Sequence, residues 1–514
     1  MSAPPIAPST PDEIHREKLS RLSRRPGDRL PSNVEWVSRL PPEERERYRG
    51  VILRRPTRTL SGVAVVAVMT APAACPHGRC VYCPGGLETG TPQSYTGEEP
   101  SALRGAQFHW DAERITRHRI EALEATGHPT SKVDVIVMGG TFPSRPPSYQ
   151  RSVFQGIYDA LNGRRTGGLE EAQRVNETSS HRLVGLTVET RPDWCDARVL
   201  PFLLGAGVTR VEIGVECLEP EVLGAMGRAH GVKEVVRATR EARASGLKVC
   251  YHMMLGLPGM DPGRDLAGFR RLFEDPAYRP DMLKIYPTLV VGGTPLAERF
   301  ADGSYRPYTT DEAADLLVRI KKLLPPWVRI QRVQRDIPAR LIVSGPRAGN
   351  LREIALRRLE AEGLRCPCLR CREVGRRAVP DGAEFHLVER DYEVLGGRER
   401  FLSFEEEAGG AVAGYLRLSM PGPGSTDPAG SESPIVRELK VLGREVPVGT
   451  PGDARGDSFQ HRGLGRALMD RAAVISREEG YSRLRVMSAV GTRPYYARLG
   501  FARDGPWMAR TLGP

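Results

Sequence analysis

The sequence predicts an α/β chain in two parts: a parallel-stranded barrel of the TIM type, partial or complete, followed by a smaller α+β domain. Three observations predict it. From about residue 58 to 345, short apolar runs alternate with amphipathic helical patterns, the mark of repeated βα units and so of a parallel sheet. After about residue 374, strand-like segments follow one another across short turns, which makes neighbours hairpin partners. A length of 514 residues also exceeds what one ordinary core serves.

In chain order, residues 1–57 are rich in proline and arginine and include HREKLSRLSRR. They read as a basic extension suited to a phosphate backbone. The barrel strands are VAVVAVM, VDVIVMGG, LVGLTVE, VTRVEIGVE, LKVCYHMMLGLPG and MLKIYPTLV, with helices such as PEVLGAM and VKEVVRATREARASG between them. Barrels of this type carry their working residues at the C-terminal ends of the strands. Gly139 and Gly140, Glu189 and Arg191, Glu216, and the run Gly256-Leu257-Pro258-Gly259 stand at such ends. Residues 346–373 form a cysteine-rich connector, and 374–514 form the second domain, with strands EFHLVERDYEV, ERFLSFEEE and AVAGYLRLSM. The segment PGPGSTDPAGSESP is a surface loop.

Hydrophobic residues make up 40% and charged residues 27%, the usage of a globular protein and not of a disordered or membrane-embedded one. No apolar run of about 18 residues occurs, and the first residues lack the apolar core of a secretory signal. A cytoplasmic protein without a membrane partner is expected. The formal charge of +12 permits a polyanionic partner without requiring one.

Six of the nine cysteines fall in two tight clusters, which in a chain with no export signal read as metal ligands before disulfides. Cys195, Cys217 and Cys250 stand alone among apolar neighbours and read as buried small hydrophobes. Cys75, Cys80 and Cys83 form C-x4-C-x2-C directly after an apolar strand. Three thiolates so spaced can hold three corners of a [4Fe-4S] cubane and leave one iron open to chemistry. They can also hold a structural zinc completed by His77. Cys366, Cys368 and Cys371 form C-x-C-x2-C, where zinc is favoured over free thiols and would brace the joint between domains.

Other residues carry two readings each. Gly139 and Gly140 either admit a ligand to the backbone or make a tight βα turn. Glu189, Arg191 and Glu216 are either functional or structural ion pairs. His252 reads as a core histidine and Lys132 as a lysine at a strand entry. In the second domain, Gln460-His461-Arg462-Gly463-Leu464-Gly465-Arg466 precedes an amphipathic helix. Its exposed N–H groups suit a pyrophosphate such as that of coenzyme A.

The ordered motifs CVYCPGG, MGGTF, TRPD and GLPG, with CPH before them, resemble the radical S-adenosylmethionine (SAM) domain of Elongator-type catalytic subunits. QHRGLGRAL, LRVMSA and PYYARLGF resemble the GNAT acetyltransferases. The resemblance spans roughly residues 50 to 514. It implies a [4Fe-4S] cluster on the first cysteine triad, and SAM held near Gly139, Gly140, Glu189, Arg191 and Glu216. Acetyl-CoA would lie along Glu438-Leu439-Lys440-Val441 and at Leu464-Gly465-Arg466, with Tyr496 in preference to Tyr495 facing the sulfur. Lys132 matches a lysine linked to acetyl-CoA use, and a zinc linker fits the second cluster. Where the family has E-L-H-V-Y-G, this chain has Lys440 and Leu442 in place of the histidine and the tyrosine. That departure bears on reactivity more than on binding.

The implied reaction takes hydrogen from the acetyl methyl of acetyl-CoA with a SAM-derived radical, adds the carbon radical to C5 of the wobble uridine of tRNA, and hydrolyses the thioester to leave a carboxymethyl group. Partners would be tRNA, acetyl-CoA and either a second copy or accessory subunits. The competing readings are a protein lysine acetyltransferase that keeps the first domain as a scaffold, a tRNA methylthiotransferase, which would need a second set of cluster cysteines and no CoA site, and a non-catalytic tRNA-binding module.

Overall fold

The computed structural model describes residues 59–377, 379–380, 382–407, 410–422, 430–443 and 463–513, with 17, 20, 33–41, 44, 48 and 53 before them. The basic N-terminal segment therefore lies largely outside the described residues, as does Gln460-His461-Arg462.

Seven parallel strands form the first sheet: β1 (Val63–Met69), β2 (Lys132–Met138), β3 (Arg182–Thr190), β4 (Arg210–Glu216), β5 (Lys248–Leu255), β6 (Met282–Pro287) and β8 (Arg329–Val333). The short β7 (Val290–Val291) pairs instead with β9 (Ile342–Ser344). Strands neighbour one another in chain order, and β1 and β8 form the two ends of the order. The sheet is thus a half-barrel of six crossovers. The sixth leads to β8, whose R-I-Q-R-V carries too many polar residues to read as a buried strand.

One face of the sheet is apolar. Val133, Val135 and Val137 of β2 and Val211, Ile213 and Val215 of β4 are buried against helical residues such as Phe154, Leu203, Ala238 and Phe269. The alternate positions face the interior and are polar to an unusual degree: Asp134 on β2, Arg210 and Glu212 on β4, Lys248 and His252 on β5, Lys284 on β6. A strand buried on both faces usually reads as a continuous apolar run. Here a period of two marks the concave side as a place for ligands. Cys195, Cys217 and Cys250 are all buried, as expected, but Cys250 lies on the polar concave side beside Glu212 and His252 and not among apolar neighbours.

After β5, the turn at Gly256 is tied down by Asp265, one of whose carboxylate oxygens accepts both the Gly256 N–H and the Tyr308 hydroxyl at 2.8 Å. Burial pushes the Asp265 carboxyl up to about 6. An acid with a raised folded pKa costs stability as pH climbs from its unfolded value near 4 toward 6, because the unfolded chain ionises first. Asp265→Asn keeps an acceptor for both bonds, so the melting temperature should fall less between pH 4 and 6 than in the parent. Parallel melting curves for the two proteins would contradict this.

The helix Leu351–Ala361 and residues Cys366 and Cys368 pack on the first core through Leu351, Ala355 and Leu359. The second sheet has the order β10-β11-β12-β13-β14-β16-β15. Its members are β10 (Phe385–Val394), β11 (Gly397–Glu406), β12 (Val412–Pro421), β13 (Ile435–Val441), β14 (Arg483–Val486), β15 (Ala502–Asp504) and β16 (Trp507–Thr511). β10, β11 and β12 are antiparallel neighbours joined by short turns, and β13 pairs antiparallel with β12 across a longer connection. β13 and β14 are parallel and pair only at Ile435 with Arg485 and Val436 with Val486. Beyond that point they part, and the rest of β13 keeps a strand partner on its β12 side alone.

The two sheets meet across a buried ionic seam. Asp281, just before β6, receives two hydrogen bonds from Arg437 of β13 at 2.6 and 2.8 Å. Arg437 also binds Glu399 through both carboxylate oxygens at 2.8 Å. All three side chains are fully buried.

Candidate active site

Two chambers open at opposite ends of the half-barrel. At the C-terminal ends of the strands, Cys75, Cys80, Cys83, Gly140, Glu189, Arg191 and Glu216 line one cavity. The chain makes it from local rules: each strand ends in a turn, and successive turns of a parallel sheet rise on the same side.

Gly139 and Gly140 have φ of 125° and 94°, a region closed to most side chains. A Cβ on Gly139 would meet Thr70 Oγ1 at 2.2 Å, and one on Gly140 would approach Gln93 at 3.3 Å and the Cys75 sulfur at 4.0 Å. The pair thus lets β2 end against the cysteine loop. Glu189 accepts the Tyr95 hydroxyl at 3.1 Å and the Gly139 N–H at 3.3 Å. Arg191 pairs with Asp193, and one of its terminal nitrogens is buried with no partner. Glu216 sits at φ 68°, a strained setting for glutamate, with a carboxylate oxygen 3.4 Å from Arg228. Arg228 also reaches the Cys80 sulfur at 3.8 Å. Burial, opposed by Arg228, pushes the Cys80 thiol up to about 11.

The geometry separates the two cysteine clusters. The sulfurs of Cys366, Cys368 and Cys371 lie within 4.8 Å of one another, whereas among the described residues Cys75, Cys80 and Cys83 form no such compact group. A single tetrahedral ion with ligands at about 2.3 Å needs its thiolates close together. A cubane spreads three thiolates over three irons, so the wider triad suits the cluster. His77 Nε2 lies 3.2 Å from the Cys80 sulfur.

The second chamber lies at the N-terminal ends of the barrel strands, between them and the second sheet. Lys132, Glu438, Leu439, Lys440, Val441, Leu464, Gly465, Arg466, Tyr495 and Tyr496 all border it. The helix Leu464–Glu478 starts at its rim with no acidic residue in the first turn. A Cβ on Gly465 would stand 2.8 Å from the Tyr495 hydroxyl, so glycine is what lets that phenol lie against the helix start. Tyr496 is buried and edge-on to Tyr495, with ring centroids 5.2 Å apart. Burial raises both phenols, so both stay protonated donors at neutral pH. Glu438 accepts Arg417 Nε at 2.9 Å and the Tyr415 hydroxyl at 3.0 Å.

One expectation holds only in half. His252 is satisfied, with Nε2 3.0 Å from Glu212, which also holds Lys284, but it is not a core residue: its ring borders the mouth cavity. Sequence reasoning also missed Tyr95, Arg228 and Lys284, although the polar–apolar alternation of RVEIGVE and MLKIYP carried the signal for the last of these.

Models of known families match both parts of the chain: the Radical SAM superfamily over residues 71–267, the Radical_SAM C-terminal domain over 280–361, and the Acetyltransferase (GNAT) domain over 456–511. A tRNA uridine(34) acetyltransferase of Methanocaldococcus infernus is 44% identical over 94% of this chain and 92% of its own. Elongator complex protein 3 of Homo sapiens is 42% identical over 94% of this chain and 90% of its own. The solved structure of the archaeal M. infernus Elp3 lacking residues 1–46 superposes with a TM-score of 0.77 at 41% identity, covering 88% of this chain and all of that one. With a half-barrel that ends in a cysteine-lined mouth and a GNAT sheet that splays at β13, the chain belongs to the Elongator complex protein 3 family of radical SAM and GNAT proteins.

Proposed function

We propose that this protein is an acyltransferase acting on tRNA that uses acetyl-CoA and a SAM-derived radical to install a carboxymethyl group at C5 of the wobble uridine. The observation that carries the reading is the placing of the two chambers on one half-barrel, one lined by the cysteine triad and the other by the splayed strand of the second domain.

In this reading Cys75, Cys80 and Cys83 hold a [4Fe-4S] cluster, which when bound supplies the electron that cleaves SAM. The Gly139–Gly140 backbone, Glu189, Arg191 and Glu216 hold SAM beside it. Glu189, already an acceptor for two donors, suits an ammonium or hydroxyl group, and the orphaned nitrogen of Arg191 suits a carboxylate. On the other side, the free edge of β13 at Leu439–Val441 pairs with the amides of pantetheine. The helix start at Leu464–Arg466 takes the pyrophosphate. Tyr496, kept protonated by burial, faces the CoA sulfur as a hydrogen-bond donor, and Lys132 borders the same chamber. The four-part division at residues 57, 345 and 373, a cytoplasmic location, and assembly with a second copy or accessory subunits belong to the same proposal. No helix among the described residues is long and apolar enough to cross a membrane.

The reading is tested by supplying anaerobically reconstituted protein with reductant, SAM, labelled acetyl-CoA and unmodified tRNA, then weighing the digested nucleosides. Labelled carboxymethyluridine is expected, and none from Cys80→Ala. Unmodified tRNA from protein with a verified cluster would overturn it.

Zinc on Cys366, Cys368 and Cys371 is proposed on the closeness of the three sulfurs, with Lys321 Nζ 3.5 Å from Cys366 to offset thiolate charge. Anaerobically purified protein should carry one zinc per chain by elemental analysis, and Cys368→Ser should carry none. Equal zinc in both would refute the site.

A further inference from the structure

The polar interior of the half-barrel lies between the two chambers and belongs to both. Asp134, Gly185, Arg210 and Lys248 border the GNAT-side chamber, whereas Glu189, Glu212 and His252 border the cysteine-lined mouth. On β4 these positions are two residues apart and on β5 four, all of one parity, so they form one inward-facing row that changes chambers between Arg210 and Glu212 and between Lys248 and His252. Cys250, opposite Glu212 in the strand register, fills the step between. A strand of seven residues spans about 20 Å, a length comparable to an extended acyl-pantetheine arm.

The interior also holds unmet hydrogen-bonding capacity. Asp134 Oδ1, Thr187 Oγ1, Arg210 Nε and Glu212 Oε1 are all buried without a hydrogen-bond partner. Thr187 and Glu212 are wholly buried, and Arg210 is 8% exposed. They are neighbours: Thr187 pairs in register with Arg210, and Arg210 Nε lies 3.7 Å from Glu212 Oε1, too far for a hydrogen bond. Leaving such atoms unpaired costs free energy, and native interiors pair them with protein, water or a ligand. The set combines donors and acceptors, as a ligand must. An amide offers one of each, and a thioester carbonyl adds an acceptor. Phosphate would suit neither Asp134 nor Glu212.

We infer that the interior of the half-barrel is the seat of the acyl end of an acyl-CoA. The thioester carbonyl enters from the splayed end of β13 and accepts from Thr187 and Arg210, while the pantetheine amide N–H behind it donates to Asp134. This rests on the proposal that the second domain binds CoA. It gives the acyl carbon a position that the mouth chamber can reach from the opposite end, with His252 and Lys284 at the boundary.

The test needs no cluster. The full chain is irradiated with a CoA thioester whose acyl group carries a diazirine, digested, and mapped by mass spectrometry with and without excess CoA. Adducts that CoA suppresses are expected within residues 183–190, 210–216 and 248–255. Adducts confined to 438–443, 464–466 and 495–496 would overturn the inference while leaving CoA binding intact. No suppressible adduct anywhere would overturn the CoA-binding reading itself and the inference with it. In Cys250→Leu, which fills the step between chambers, adducts on β4 and β5 should be lost while those at Tyr495 and Tyr496 persist. The persisting label shows a folded, CoA-binding protein. Undiminished labelling of β4 and β5 in that variant would contradict an interior seat.

Discussion

Replacing Asp281 with alanine should destabilise the protein by about 3–5 kcal/mol, the cost of leaving a buried charge without its partner. Asp281 is wholly buried and takes two hydrogen bonds from Arg437, and Arg417 Nη1 lies 3.6 Å away. Burial alone would raise its carboxyl, but Arg437 and then Arg417 outweigh it and hold the group well below the usual carboxylate range. Without the carboxylate, Arg437 keeps only Glu399 and the Leu247 carbonyl, and Arg417, still bonded to Glu438 and the Trp327 carbonyl, loses a nearby counter-charge.

The pH dependence has a definite sign. A depressed folded pKa contributes stability that is present above the unfolded value near 4 and lost as acid protonates the folded group. The parent should therefore weaken steeply below pH 4, and Asp281→Ala less so. Because Arg437 precedes Glu438 on the strand that borders the GNAT-side chamber, acetyl-CoA affinity should fall along with stability. Chemical denaturation at pH 7 decides the matter, and a loss under about 1 kcal/mol would mean that the seam relaxes or admits water.

That seam shows where sequence reasoning stops. β1 was legible to the residue, because VAVVAVM is bounded by a turn and a cysteine loop and coincides with Val63–Met69. Strand ends carrying Gly139, Glu189 and Glu216 were legible as one mouth because parallel strands leave their C-termini on one side. Asp281 and Arg437 were not, since 156 residues separate them and neither carries a local signal of its partner. β8 was missed because its arginines and glutamine obscure a strand that is polar on its concave side. His252 was misread for the opposite reason. The apolar residues beside it belong to the helix-facing side, and only its parity with Lys248 assigns it to the interior.

The same parity explains how one sheet can serve two ligands. Its convex side is filled by packed valines, leucines and isoleucines that fix strand positions, so the concave side is free to be polar. Ion pairs such as Glu212 with Lys284 add little net stability when compared with a packed apolar core. Their presence in place of the apolar layers that fill a closed barrel is better explained by what the interior must bind. The GNAT sheet contributes in a complementary way, through the backbone edge exposed where β13 leaves β14.

Gly139→Ala should abolish SAM binding and cleavage at the mouth while leaving acetyl-CoA binding at the opposite end unchanged. The substitution faces two obstacles at once: φ of 125° excludes alanine, and the new Cβ would stand 2.2 Å from Thr70 Oγ1. Strain of this kind costs about 1–3 kcal/mol, and the turn can relieve it only by moving. Moving it breaks the Gly139 N–H contact to Glu189 and shifts Gly140 away from the Cys75 sulfur. A displacement of about 1 Å in a positioning element costs roughly a hundredfold in rate, so SAM cleavage by the reconstituted protein should fall by at least about that factor. Thr70→Ala in the same chain relieves the clash but not the backbone strain, and should restore only part of the loss. Full activity in Gly139→Ala, or parallel loss of acetyl-CoA binding, would show that this turn does not hold SAM or that the two ends of the half-barrel are not independent.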